Sequence, residues 1–203
     1  MIPSNGGLRG QRLAVFALLI VMAVSAAAQQ TSLQLDPSKT TVHFTLEAAL
    51  HTVHGTFHTK QSVLQFDPSS GQVTGEILVD AKSGRTGNGM RDRKMYNDVL
   101  ESERYPEITF RPVRVEGAVA NLGKSSVTVH GMFNIHGVDR EIMVPAQVEM
   151  NADQSTANMH FTVPYAKWGM KNPSNLFLRV SDSVEIEFVA VGSVVRHTAS
   201  SGR

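Results

Sequence analysis

Apolar and polar residues alternate along most of this chain with a period of two, the spacing of strands that bury one face. In TTVHFTLE, Val42, Phe44 and Leu46 share one phase, and Thr41, His43, Thr45 and Glu47 share the other. Val53, Gly55 and Phe57 alternate next, then Leu64 and Phe66, then Val73, Gly75, Ile77, Val79 and Ala81. Ile108 and Phe110 begin another strand whose phase slips at Pro112, with Val113 and Val115 continuing it. That slip predicts a bulge or an edge position, where a missing N–H donor is tolerated. The second half alternates more cleanly: Val127, Val129, Gly131, Phe133 and Ile135; Ile142, Val144, Ala146 and Val148; Met159, Phe161, Val163 and Tyr165; Val184, Ile186 and Phe188. Eight to ten strands are predicted, most of them separated by turn sequences such as Asp67-Pro68-Ser69-Ser70-Gly71 and His136-Gly137-Val138-Asp139.

Two segments lack this alternation. Residues 88–100 read as a helix with Asn88 as its N-cap, and Pro106 bars its continuation. Residues 166–175, AKWGMKNPSN, read as a long loop. With so little helix to cover them, strands that each carry one apolar face must cover one another, as a sandwich or a closed barrel. Short sequential connections favour an up-and-down barrel. A membrane-spanning barrel would need the reverse polarity and two aromatic girdles, and three Tyr and one Trp are too few for those.

The first 28 residues stand apart from the fold. Arg9 and Arg12 precede the apolar run LAVFALLIVMAV, and Ser25-Ala26-Ala27-Ala28 follows. A positive flank, a short apolar stretch and small residues at a cleavage site describe a secretory signal peptide. The run from Leu13 to Val24 has 12 residues, and a spanning helix needs about 20. The expectation is a cleaved signal peptide over 1–28, a barrel domain over 29–195 and a polar, disordered tail over 196–203, in a periplasmic or secreted protein. Cleavage removes two arginines and no acid, which changes the net charge from +1 to −1. A near-neutral chain offers no basic stripe for nucleic acid. With no Cys in the sequence, packing and hydrogen bonds hold the fold without disulfides.

An eight-stranded barrel is just wide enough to fill itself with side chains or to hold a small ligand. Gly55, Gly75 and Gly131 fall on the inward phase. They either leave space inside or provide the kinks that barrels need. The predicted lining consists of Phe44, Phe57, Phe66, Ile77, Val79, Phe110, Val129, Phe133, Phe161 and Phe188. These residues read as core packing or, with the glycines, as the wall of an apolar tube suited to a lipid chain. A predicted mouth lies in SGRTGNGMRDRKM, where Arg85, Met90, Arg91, Arg93 and Lys94 accompany a single acid, Asp92. It reads either as a seat for an anionic headgroup, gripped by guanidinium groups, or as a solvated helix face. Trp168 reads as a cover over the mouth or a plug at an apolar edge.

The chain resembles the YceI-like family of polyisoprenoid-binding, lipocalin-like periplasmic proteins over about Leu33 to Val194. The resemblance rests on His54-Gly55-Thr56-Phe57, Leu64-Gln65-Phe66-Asp67-Pro68 and Thr86-Gly87 with Met90-Arg91-Asp92. It continues through Tyr105-Pro106-Glu107-Ile108-Thr109-Phe110 and Gly131-Met132-Phe133-Asn134-Ile135-His136-Gly137. It implies an all-β, extended antiparallel eight-stranded barrel with one short helix beside it, holding a long-chain lipid such as a polyisoprenoid or a fatty acyl derivative. The segment from Lys167 to Pro173 departs from what the family shares and leaves the headgroup open.

Other constellations do not assemble into chemistry. His54 and His58 stand four residues apart, about 13 Å along a strand, which is too far to share a metal ion without a bulge. No nucleophile elbow, no H-E-x-x-H and no thiol is present. The sequence therefore predicts a lipid carrier with no catalytic residues, no cofactor, no metal, no nucleic-acid partner and no stable membrane insertion, and leaves a homodimer open. The alternatives are an enzyme acting on such a lipid and a stress-related barrel without ligand.

Overall fold

The computed structural model describes residues 30–176 and 179–197. The predicted signal peptide, 1–28, and residues 198–203 of the predicted tail lie outside the described residues. The described chain forms β1 (Gln30–Leu35), β2 (Thr41–Leu46), β3 (Val53–Phe57), β4 (Ser62–Phe66), β5 (Val73–Gly75) and β6 (Ile77–Asp80). After a short helix, α1 (Gly89–Lys94), come β7 (Glu107–Glu116), β8 (Gly123–Ile135), β9 (Val138–Met150), β10 (Gln154–Val163) and β11 (Val184–His197). β11 thus extends two residues past the boundary drawn from the sequence.

All the strands belong to one antiparallel sheet that curls into a nearly closed barrel. The eleven strands among the described residues exceed the eight predicted, for a local reason. Residues 192–197 of β11 pair with β1 and residues 185–189 pair with β2. β1 and β2 therefore lie in line and fill one position of the wall. β4 and β3 fill the next, pairing with β1 and β2 respectively. β5 and β6 fill the third, divided at Glu76. The barrel has eight wall positions, three of them occupied by broken strands.

Each break exposes backbone groups that a continuous ladder would satisfy, and small hydroxyl side chains take their place. Thr40 sits between β1 and β2; its Oγ1 donates to Val191 O and accepts from Val191 N, each at 3.2 Å. Ser83 Oγ accepts from His58 N at 2.8 Å and donates to Asp80 O at 2.6 Å. Ser62 Oγ accepts from Leu78 N at 3.2 Å. All three residues are buried. Along the seam, Lys60 N donates to Leu78 O at 2.8 Å, Asp80 N to His58 O at 3.0 Å and Val115 N to Gly71 O at 2.8 Å.

The alternation in β8 and β9 is realised in full. Residues 127, 129, 131, 133 and 135 are buried in turn, as are 144, 146 and 150. His136 and Gly137 join these strands with positive φ of 58° and 74°, the conformation that a two-residue hairpin turn demands. The predicted slip in β7 appears as a register shift between Pro112 and Arg114. It corrects one inward assignment: Val113 is exposed, because the extra residue of a bulge has no facing partner.

The inward glycines also require correction, since they do not leave empty space. Phe44 lies directly across from Gly55, and its ring tip covers the place where a Cβ would stand. At Gly131 the ring of Phe110 does the same, 2.6 Å from the Cβ position. Both glycines seat an aromatic ring against the wall. Gly75 is exposed and adopts φ of +110° where β5 ends, so its role is the kink.

Asn88 caps α1 as expected, its Oδ1 accepting from Met90 N at 3.1 Å and Arg91 N at 3.2 Å. The predicted 88–100 helix changes character after six residues, and Met95–Val99 form a wider π turn. Leu100 N closes it by donating to Met95 O at 2.9 Å.

Candidate functional site: an apolar chamber in half of the barrel

The barrel interior divides into two halves. At one end Leu35, Leu64, Phe66, Val73 and Ala190 pack together, and Val127, Val129 and Ala146 fill the same end from the opposite wall. None of these borders the apolar chamber of the other half. The other half contains a chamber of about 600 Å3, within the roughly 300–1,000 Å3 of ordinary ligand pockets.

Of the predicted lining residues, Phe44, Phe57, Ile77 and Val79 border this chamber, as do Phe110, Phe133, Phe161 and Phe188. Phe66 and Val129 do not; they belong to the packed end. The aromatic rings pair along the wall instead of filling the lumen. Phe44 and Phe57 stand 5.4 Å apart, and Phe133 meets Phe161 edge-on at 5.9 Å. Many further lining residues come from outside the strands. Tyr165, at the end of the alternation that runs through β10, borders it too; Met95, Val99 and Leu100 approach from the helical segment, and Met170 and Pro173 from the long loop. Strand alternation carries no signal for the helical and loop residues, although Met95 and Val99 are spaced i, i+4, which places them on one helix face.

The charged side chains that border the chamber, Arg91 and Lys94, both come from α1. Tyr165 turns its hydroxyl away from the lumen and donates to Ser181 O at 2.6 Å. Burial pushes its phenol up to about 12. At the rim, Asp92 is buried, and its Oδ1 accepts from Thr86 N at 2.9 Å and from Thr86 Oγ1 at 2.6 Å. Thr86 in turn accepts from Arg91, Oγ1 from Nε at 2.8 Å and O from Nη2 at 3.1 Å. One edge of the Arg91 guanidinium is thereby fixed to the loop, while the residue borders the chamber. The Asp92 carboxylate thus acts as the anchor of this arrangement.

The predicted mouth residues separate under this geometry. Met90, Arg91 and Lys94 border the chamber. Lys94 Nζ donates to Pro173 O at 3.0 Å and ties α1 to the long loop. Arg85 is directed elsewhere: Nη1 donates to Lys82 O at 3.1 Å and Gly84 O at 2.8 Å, and also meets the Tyr96 hydroxyl. Arg93 is exposed and does not line the chamber. Trp168 is an edge plug. It packs 6.0 Å from Phe133 with the Arg140 guanidinium 4.7 Å over its ring. His51, which no local sequence pattern singles out as a lining residue, borders the rim together with Ala48, Asn175 and Val180.

The chain matches the family model described as YceI-like domain over residues 33–191. Three solved structures share the fold. Burkholderia cenocepacia BcnA is 20% identical with a TM-score of 0.63, over 77% of this chain and 98% of that one. A polyisoprenoid binding domain from Saccharophagus degradans, implicated in plant cell wall breakdown, is 18% identical with a TM-score of 0.64, over 80% of this chain and 98% of that one. The Campylobacter jejuni YceI protein is 18% identical with a TM-score of 0.55, over 73% of this chain and 87% of that one. No curated protein matches the chain.

Proposed function

This chain belongs to the YceI-like domain family, and from that premise we propose that it is an exported carrier of a long-chain lipid, held in the open half of the barrel. The observation that carries this reading is a chamber of about 600 Å3 walled almost wholly by apolar side chains, in a barrel whose other half is packed. A sequence that can fill one half with Leu, Val and Phe could fill the other as well. The Saccharophagus degradans neighbour is described as binding a polyisoprenoid, which supports the same ligand class here. The signal-peptide pattern of residues 1–28 supports a place of action in the periplasm or outside the cell.

The physical chemistry sets the terms of such binding. Each buried methylene contributes about 0.8 kcal/mol, so about fifteen give on the order of 12 kcal/mol before association costs. At roughly 30 Å3 per heavy atom, the share of a water molecule in the liquid, the chamber seats on the order of 20 heavy atoms. The apolar chain dominates affinity, and Arg91 and Lys94 select a phosphate or carboxylate headgroup at the rim. Arg85, occupied by carbonyl groups, and the outward Arg93 take no part.

Extraction of the purified protein followed by mass spectrometry tests the reading. A stoichiometric long-chain lipid is expected. A lipid-free protein that also rejects polyprenyl and acyl chains defeats the reading. In rebinding assays, affinity rises with chain length and levels off near twenty carbons. Arg91→Ala weakens anionic ligands by about tenfold and neutral ones little; equal loss for both removes Arg91 from headgroup selection.

A further inference from the structure

The three most exposed large apolar side chains among the described residues are Leu176 at 97%, Leu50 at 79% and Met90 at 72%. They come from three separate segments, yet all three stand at the chamber's open end. Leu50 precedes His51, Met90 precedes Arg91 and Leu176 follows Asn175, and His51, Arg91 and Asn175 all line the rim. Contacts between the segments join them into one collar. Ala49 N donates to Arg179 O at 2.9 Å, Ala48 is bridged to Val180, and Lys94 holds Pro173 O.

The same collar concentrates positive charge. Its described segments, 47–52, 84–95, 170–176 and 179–180, contain Arg85, Arg91, Arg93, Lys94, Lys171 and Arg179, against Glu47 and the buried Asp92. The whole chain is close to neutral, so the excess is local. Protruding apolar side chains set in a cationic ring suit an anionic lipid bilayer. The apolar tips enter the headgroup layer, and each nearby Lys or Arg adds attraction that salt screens. No helix of the described residues is long and apolar enough to cross a membrane.

We propose that the collar of the open end docks on the surface of an anionic bilayer, so that the chamber faces the membrane and a lipid chain passes between the two without crossing bulk water. Docking rests on the collar's exposure and charge; its use in transfer rests on the carrier reading. The experiment compares the processed chain, its amino terminus mapped by intact mass, with its Leu50→Ser/Leu176→Ser variant. Neither leucine lines the chamber, and both are too exposed for the change to unfold the protein. A Val113→Ser/Met143→Ser variant, altered at exposed apolar sites on the barrel's outer wall, is the control.

Each protein is sedimented with phosphatidylglycerol-containing vesicles and with pure phosphatidylcholine vesicles. The wild type and the control are expected to bind the anionic vesicles and to release at 0.5 M salt. The Leu50→Ser/Leu176→Ser variant is expected to bind about tenfold or more weakly. Absence of vesicle binding, equal binding to both vesicle types, or equal binding by variant and wild type overturns the docking proposal. Lipid content, measured on the same preparations, separates this result from the carrier reading. A chain that holds lipid but ignores vesicles overturns docking alone, and one that docks but carries no lipid overturns the carrier alone.

Discussion

The two halves of this barrel share their five long strands, yet one is solid and the other hollow. In the packed end, Leu35, Leu64 and Phe66 belong to one buried cluster and Val127 and Val129 to another, and Val115, Val119 and Met159 pack against both. In the open end the walls carry larger rings, but those rings are seated against the wall. Phe44 lies over Gly55 and Phe110 over Gly131. The comparison teaches that a hollow does not follow from small residues. It follows from giving large residues a place other than the centre, and glycine provides that place.

Substitutions at the two ends therefore have different consequences. The largest expected effect is Phe66→Ala in the packed end, with a loss of about 3–5 kcal/mol in denaturant unfolding, typical of a large side chain removed from a filled core. Phe161→Ala on the chamber wall is expected to cost less in the same measurement and to lower lipid occupancy, because space already lies beside it. If the two cost the same stability, the halves do not differ in packing as described.

Overfilling distinguishes the ends by the size of the loss. Leu64→Trp forces extra volume into close-packed surroundings and is expected to cost about 1–3 kcal/mol. Ile186→Trp extends into the chamber, so it is expected to leave stability within about 1 kcal/mol of the wild type while blocking ligand. Ligand uptake by Ile186→Trp equal to that of the wild type would place the lipid elsewhere.

A smaller effect, about 1 kcal/mol, is expected for Tyr165→Phe, which removes one hydrogen bond to Ser181 O. Its pH dependence is more telling. The folded protein holds the Tyr165 phenol protonated up to about 12 against an ordinary value of 10. A raised acid of this kind contributes stability fully below pH 10 and loses it as pH rises toward 12. Thermal unfolding between pH 10 and 12 should fall more steeply for the wild type than for Tyr165→Phe. The smallest effect is expected for Lys94→Ala. Losing the tie to Pro173 should change stability by about 0.5 kcal/mol or less but speed ligand release in a stopped-flow displacement assay.

The packed end was more legible in the sequence than the open one. At Val127 and Val129 alternation alone identifies the buried face, because an unbroken strand has no other way to hide apolar side chains. Val113 misleads because a bulge changes phase without changing composition. The three broken wall positions leave no mark in the alternation, since the hydroxyls of Thr40, Ser62 and Ser83 that mend the ladder look in sequence like ordinary loop residues. At the rim, sequence proximity grouped Arg85, Arg91, Arg93 and Lys94. Only the three-dimensional path of the loop shows that Thr86 orients Arg91 and that carbonyl groups take up Arg85. His51 and Pro173 reach the chamber through contacts between distant segments, which no local pattern encodes.

The three broken strand positions lie side by side, between β11 and β7. The barrel thus resembles a half-pipe of long staves joined to a hinged shutter. In the five long strands, apart from the bulge of β7 at Pro112, bending requires distorting a continuous row of hydrogen bonds. In the jointed side, rotation can concentrate at 36–40, 58–61 and Glu76, where the rows are already interrupted. A guest that swells the chamber would be accommodated by the shutter, and hydrogen exchange should register that strain at the joints before it reaches the staves.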